Sequence, residues 1–375
     1  MRARAACWSA IAPGACRGAA VLLLAALAAA TAAHAAEAPD VAQTRDAEHA
    51  RLAAHSLLIG LAAAGERLVA VGDRGVVVLS DDNGSSWVQA ELIPTQALLT
   101  GVCFFDAQHG LAVGHDEVIL ATADAGRTWK RTHYAPEAQQ PLLDVWCGAQ
   151  GRAIAIGAYS SYLTSNDAGA TWTAGKFTPT LRQPPAPKPH SAHSPAAPAA
   201  AAGAPDEDQA GGGYHLNRIV AATPSRLYIA AEAGHLYRSD DAGLSWTTLT
   251  SPYRGSFFGV LPLAGEAVLA FGLRGNLFRS DDAGASWQKI DTGTVQLLDG
   301  AARFDTGGVA LAGLSGVLLV SHDGGHSFTL DQQSDYTGLS AVVSIGNDEL
   351  ALAGEGGVRV IALHGPPPAA AGAAH

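Results

Sequence analysis

The sequence holds 375 residues, 48% of them hydrophobic, with 34 acidic against 23 basic side chains and a formal net charge of −11. That apolar content excludes wholesale disorder. The acidic balance, with no clustered Lys/Arg stripe, excludes nucleic acid as a partner, because phosphate neutralisation needs such a stripe.

In chain order, Arg2, Arg4 and Arg17 lead into an apolar stretch over residues 19–30, and Ala33-His34-Ala35 fits a small-x-small cleavage site. Residues 1–35 therefore read as a secretory signal peptide, and the mature chain is expected to begin at Ala36 in the periplasm. The apolar stretch is short of the roughly 20 residues a membrane span needs, and no later segment reaches that length, so no span is expected in the mature chain. Cleavage removes Cys7 and Cys16 and leaves Cys103 and Cys147.

From Ser80 onward one phrase recurs, Ser/Thr-x-Asp-x-Gly-x-Ser/Thr-Trp. Its aspartates are Asp82, Asp124, Asp167, Asp241, Asp282 and Asp323, and its aromatics Trp87, Trp129, Trp172, Trp246, Trp287 and Phe328. The intervals between aspartates are 42, 43, 74, 41 and 41 residues, a propeller period with one insertion. This phrase, the Asp-box, builds a hairpin turn without any ligand. The Asp accepts backbone N–H bonds of its own turn, the Gly takes a positive φ, and the Trp lies against a neighbouring sheet. Asp81 to Gly84 looks like the start of a calcium loop, but no box is followed by the bidentate Glu and flanking helices of that motif.

Each repeat reads as four short strands punctuated by Gly, with no sustained helical period after the leader. First strands are expected at 57–63, 98–104, 142–147, 215–221, 256–263, 297–303 and 339–344. The seventh repeat lacks a box and runs into a Pro-rich tail, residues 365–375, expected to be disordered. A ring needs its last blade completed, and the mature N-terminal segment, within 40–54, is the expected donor of the missing strand. Residues 178–213, with eight prolines, read as a disordered Pro/Ala-rich insert. The expected fold is thus an all-β seven-bladed propeller of four-stranded blades over 36–364.

Cys103 and Cys147 lie 21 and 20 residues before Asp124 and Asp167, on the first strands of adjacent repeats. A disulfide in an oxidising compartment and two buried thiols are both open readings. Ala62, Val220, Ala302 and Val343 hold the same position elsewhere, and inner strands of neighbouring blades can stand further apart than the roughly 7 Å limit for a bridge.

The loops between second and third strands gather on the face opposite the boxes. Their polar residues, Asp73, Arg74, His115, Asp116, Glu117, Tyr159, Glu232, His235, Arg274 and Glu355, form the candidate partner-binding face. As an enzyme the set falls short. A sialidase needs an arginine cluster, a Tyr nucleophile paired with Glu, and an acid, whereas only Arg74 and Arg274 recur here, in blades far apart; a Glu117–Glu232 pair would be the glycosidase reading. His322 and His326 flank Asp323 inside a box already using its Asp, and no phosphate loop, Cys-x-x-Cys or hydrolase elbow is present. No metal, cofactor or catalytic residue is expected.

The boxes in series, the seven-fold count and the phrases Val71-Gly-Asp-Arg-Gly75 before Ser80-Asp-Asp82 and Phe271-Gly-Leu-Arg-Gly275 before Ser280-Asp-Asp282 resemble the photosystem II stability/assembly factor-like propellers. The resemblance covers residues 50 to 363. It implies a non-catalytic protein that binds a membrane-protein precursor, or in non-photosynthetic bacteria a scaffold beside an envelope complex such as an exporter. The acidic charge and the insert set this chain apart from the photosynthetic members. The expected function is a periplasmic interaction scaffold for an envelope membrane protein; the alternative is a sialidase-like glycoside hydrolase or carbohydrate-binding propeller.

Overall fold

A computed structural model describes residues 45–181, 213–304, 307–346 and 348–363. The leader 1–35, residues 40–44 of the expected closing segment, residues 182–212 of the insert and the tail 365–375 lie outside the described residues. The chain divides into Met1–Arg45 and Asp46–His375, and the account below concerns the second unit.

Seven antiparallel sheets follow one another around a ring, and the regular structure among the described residues is strand and short 3-10 turn. The first strands are Leu58–Ala64, Leu99–Phe104, Leu142–Cys147, Leu216–Ala221, Phe257–Pro262, Leu298–Arg303 and Leu339–Gly346. They converge on the hub, each beside the first strand of the next blade, and the first strand of blade 7 meets that of blade 1. Second strands such as Val268–Gly272 and Val309–Gly313 are buried throughout. Their continuous apolar runs follow from having a blade on each side, which removes the polar half of the usual alternation.

The boxes sit between third and fourth strands. In the first, the Ser80 hydroxyl donates to Asp82 Oδ1 at 2.8 Å and accepts the Gly84 N–H at 2.8 Å. The Ser86 N–H and hydroxyl donate to Asp82 Oδ1 and Oδ2 at 2.8 and 2.6 Å. The same bonds recur at Asp167, whose carboxyl the Thr171 hydroxyl, the Thr171 N–H and the Ser165 hydroxyl hold down to about 2. Both carboxylate oxygens are thus committed to the turn itself. Gly84 takes φ of 83°, and so, less predictably, does its predecessor Asn83 at 55°; Ala125, Ala168, Ala242 and Ala283 occupy that left-handed position in later boxes.

The box aromatic of each blade packs on the blade before it. Trp129 and Trp246 are 3% and 5% exposed. Most of the indoles donate to the box Gly carbonyl, as Trp87 does at 3.0 Å. Trp246 instead donates to the Tyr162 hydroxyl at 3.1 Å, which itself donates to the Gly243 carbonyl at 2.9 Å, a relay through the previous blade.

Among the described residues the structure revises two expectations and decides one question that the sequence leaves open. The last sheet has three strands, Leu339–Gly346, Glu349–Gly354 and Gly357–Ala362, and no described N-terminal residue joins it as a fourth. Residues 46–55 instead cross the outer side of blade 1, where the Ala47 N–H donates to the Ile93 carbonyl and the Gln89 amide bridges Glu48 and Ala50. The segment Asp46 to His55 holds no β-branched residue and ends in the 3-10 turn Ala53–His55. Among the described residues the ring closes by packing, with Leu58, Ala70 and Val78 of blade 1, joined by Ala53 and Ala54, against Ala341, Ala353 and Val358 of blade 7.

The insert also begins later than composition implied. Thr180–Leu181 forms a strand parallel to Thr247–Thr248, giving blade 4 a fifth strand, with the Thr180 N–H on the Trp246 carbonyl at 2.8 Å.

Cys103 and Cys147 form a disulfide, with Cα atoms 5.7 Å apart. Strand register explains how inner strands of two blades reach each other: Cys103 pairs with Leu111 on its second strand, while Cys147, pairing with Ala153, stands one position further along its own. Successive side chains point to opposite faces of a sheet. The one-step offset therefore turns Cys103 toward blade 3 and Cys147 toward blade 2, and both sulfurs enter the same apolar interface.

Truncating Trp246 to Ala should destabilise the ring by about 3–5 kcal/mol, and Asp241→Ala by about 1–2 kcal/mol for turn donors left without an acceptor; denaturant unfolding of the two variants checks the order. Opening the disulfide, by Cys103→Ser or by reductant on the unmodified protein, should cost roughly 2–4 kcal/mol given the long loop it closes, read from the shift in unfolding midpoint.

Candidate functional site

Opposite the boxes, all seven turns between second and third strands are built on one backbone bond. The N–H of the first turn residue donates to the carbonyl just before the first strand's buried apolar residue: Asp73 to Leu57, His115 to Leu98, Ala158 to Pro141, Glu232 to His215, Leu273 to Ser256, Leu314 to Leu297 and Glu355 to Gly338. The two chains approach so closely that a Cβ at Gly114 would lie 2.1 Å from the Leu98 carbonyl oxygen. The leading Gly of the Gly-x-x-Gly phrase is there for this approach rather than for its dihedral freedom.

Six of these turns are three-residue 3-10 loops whose middle residue is left-handed, with φ between 51° and 59° at Arg74, Asp116, Tyr159, Ala233, Arg274 and Ser315. Being at the apex, these side chains point away from the ring. The Arg74 side chain is 86% exposed, with Asp73 3.7 Å away, and Tyr159 is 54% exposed. His115, Asp116, Arg274 and Glu355 are exposed as well.

Two predicted face residues are not displayed. Glu117 is buried, its oxygens held by His133 Nε2 and the Ser161 hydroxyl, each at 3.3 Å. It stands where other turns place their second Gly, and with φ of 52° it turns inward, toward blade 3. His235 is sandwiched between Tyr214 and Tyr237, at 4.1 and 5.8 Å between ring centres, and burial pushes its pKa down.

The structure brings Tyr159 and Glu232 together through a residue not predicted. The His215 ring lies edge-on to Tyr159 at 5.0 Å, and its Nδ1 is 3.4 Å from Glu232, which also accepts the His215 N–H at 3.0 Å. Arg74 and Arg274 remain apart on blades 1 and 5. Blades 2 and 3 alone among the 3-10 turns replace the second Gly, with Glu117 and Ser160, both left-handed. Strained positions of this kind gather where structure serves recognition; Ser160 follows Tyr159, and its hydroxyl donates to the Tyr214 carbonyl at 3.2 Å.

A charged cluster at the hub also went unpredicted. Gly60, Gly101, Gly259 and Gly300 share one first-strand position with Asp144 on blade 3 and Arg218 on blade 4. Arg218 lies 3.9 Å from Asp144 and 3.7 Å from Asp299 of blade 6, and Asp144 also accepts the Ile219 N–H at 2.9 Å. Burial opposes the Arg218 charge, but the two carboxylates outweigh it and hold the guanidinium charged. Burial pushes the Asp144 carboxyl up against the opposing pull of Arg218, and that of Asp299 up to about 6. Aligning the first strands on their buried leucines would have exposed the two charges standing in a column of glycines.

Among known proteins, the sequence profile of the family described as Photosynthesis system II assembly factor YCF48 matches residues 79–198. The chain resembles the YCF48 propellers. A solved structure of YCF48 bound to D1 peptide is 15% identical, with a TM-score of 0.61 over 82% of this chain and 93% of that one. YCF48 from Cyanidioschyzon merolae is 15% identical, with a TM-score of 0.63 over 85% and 98%. The WD40 propeller domain of Doa1, at 11% identity, still gives 0.58 over 85% and 95%. At these identities the shared property is the ring. No curated protein matches the sequence.

Asp299 gives the hub a pH signature. An unfolded Asp loses its proton near pH 4, whereas the folded chain keeps it until about 6. Between those values the folded state holds the extra proton, so this group's contribution to stability falls as pH rises and its full cost is carried above about 6. Asp299→Asn should therefore stabilise the protein at pH 7 by roughly 1–2 kcal/mol and leave it unchanged at pH 4; urea unfolding at the two pH values measures it.

Proposed function

We propose that this protein is a non-catalytic periplasmic scaffold that holds an envelope membrane protein during assembly, docking it on the rim of turns between second and third strands. The observation that carries this reading is the repeated turn: one backbone bond and a left-handed apex present Arg74, Asp116, Tyr159 and Arg274 at equivalent places around one face. Side chains pre-positioned by rigid backbone lose little entropy on binding, and contacts spread over several blades give affinity without a chemical centre. The YCF48 structure bound to a peptide supports a protein ligand for such a ring. The Cys103–Cys147 disulfide and the leader sequence support an oxidising compartment outside the cytosol.

The glycosidase alternative loses its proposed pair. Glu117 is buried with both oxygens bonded, and Glu232 is occupied by His215. The two arginines needed for a substrate carboxylate do not converge.

A photocrosslinking residue placed at Tyr159 or Arg274 in the cell envelope should capture the same membrane protein. One placed at Leu244, exposed in the blade 4 box, should not. Arg74→Glu with Arg274→Glu should weaken capture while leaving the melting temperature unaltered. Equal capture from Leu244 would move the docking face to the other side of the ring. Turnover of fluorogenic sialosides or other glycosides by the purified protein, lost on Glu232→Gln, would replace the scaffold reading with an enzyme.

A further inference from the structure

Among the described residues blade 7 has three strands, and the outermost of them differs from the outer strands of the other six blades. In the other six blades the outer strand runs two to four residues, as at Val88–Gln89, Gln288–Ile290 and Thr329–Gln332. Two of these edges are further covered, by the Leu92–Thr128 bridge beside blade 2 and by Thr180–Leu181 on blade 4. Gly357–Ala362 runs six residues, Gly-Val-Arg-Val-Ile-Ala, with one ladder to Glu349–Gly354 and no strand on its other side among the described residues. Third strands elsewhere are almost wholly buried, as Val77–Ser80 and Leu277–Ser280 are; here Val358 to Ile361 are only half-buried and Ala362 is exposed.

The Ala54 carbonyl lies against the Gly357 end of this strand, and along the rest of its length no described strand pairs with it; a largely β-branched edge of this kind is a template for another strand. Its flanks say what that strand should carry. Val358 and Val360 face blade 1, Val360 against Gly84 of the first box and Val358 in the cluster that holds the half-buried Trp87. Side chains of an added strand on that flank would meet aliphatic surface and an indole. The other flank carries Arg359 and Ile361. The Arg359 guanidinium donates through Nη1 to Asp335, while its Nε and Nη2 are withdrawn from water with no acceptor among the described residues. Hidden guanidinium donors without an acceptor are costly, and a carboxylate offered on that flank would satisfy them.

We propose that the open edge Gly357–Ala362 is a second docking site, independent of the rim, which takes an extended segment of a partner protein as a fourth strand. The segment alternates acidic with aliphatic or aromatic side chains, the acidic ones meeting Arg359 and the apolar ones Val358, Val360 and Trp87.

The test uses the full mature protein and two short synthetic peptides, one alternating Glu with Val and one alternating Lys with Val. Among Val358 to Ala362, the alternate amides that do not bond Glu349–Gly354 should exchange fast in the protein alone and slowly with the Glu/Val peptide, and the Lys/Val peptide should give no such protection. Arg359→Glu should weaken the Glu/Val peptide by about 10-fold or more and transfer preference to the Lys/Val peptide. Slow exchange at the edge in dilute protein alone would show that the chain covers it with its own residues and would overturn the proposal. Protection that grows with protein concentration, with matching self-association by sedimentation, would assign the edge to a second copy instead. Equal protection by both peptides, or by neither, would remove the charge argument and the proposal with it.

Discussion

The bond from the N–H of each second-to-third-strand turn to the carbonyl ahead of its own blade's inner strand is the constraint on which both ends of the ring depend. It joins the hub to the rim within each blade, and it leaves so little room that the residue ending the second strand is Gly in six blades. Blade 4 is the exception, with Ala231, whose φ of −143° departs from the more fully extended angle of Gly114 at −173°. Because the bond fixes where the turn begins, three residues suffice to reach the third strand, and the middle one must be left-handed. Display of an apex side chain is thus a by-product of ring geometry. Among the six 3-10 turns, what varies is which side chain stands there and, in blades 2 and 3, the residue that follows it.

The two faces divide their tasks by where their polar groups point. At the boxes, carboxylates, hydroxyls and amides bond one another, and the aromatic packs on the preceding blade; that face uses its hydrogen-bonding capacity on itself. At the other face the backbone is equally satisfied, but apex side chains such as Arg74 and Tyr159 remain exposed. Glu117 shows the boundary between the roles. It shares the loop of a displayed residue, Asp116, yet it turns into the blade 2–3 interface and serves there as an acceptor for His133 and Ser161.

The ring was legible because its signals are local and repeat. Six aspartates at a propeller period with one insertion marked the architecture, and the apolar runs set the count of seven and located all seven inner strands to within a residue or two. What escaped was set by contacts between repeats. Whether Cys103 meets Cys147 depends on a one-position offset that reverses side-chain direction, and counting back from the boxes treats the two places as equivalent. The Asp144–Arg218–Asp299 cluster joins three blades across the hub, and no spacing within one repeat reveals it. The missing strand of blade 7 was assigned to the N-terminus by the need for closure. The described segment instead lies across blade 1, where its Ala-rich sequence can turn but has little propensity to pair.

Charge distribution bears on how the two proposed surfaces could work together. The chain is acidic overall, and much of that acidity is bound up in box turns whose donors stabilise the ionised form. The box face also carries arginines against the aspartates that precede the boxes, as Arg67 on Asp81 and Arg279 on Asp281, and the opposite rim displays both signs, Arg74 and Arg274 with Asp116 and Glu355. Blade 7 lies next to blade 1, which carries Arg74, so a partner held at that part of the rim would have an extended segment within reach of the open edge. Each contact would then raise the effective concentration of the other, which gives the ring a way to hold one partner firmly through surfaces that are each weak.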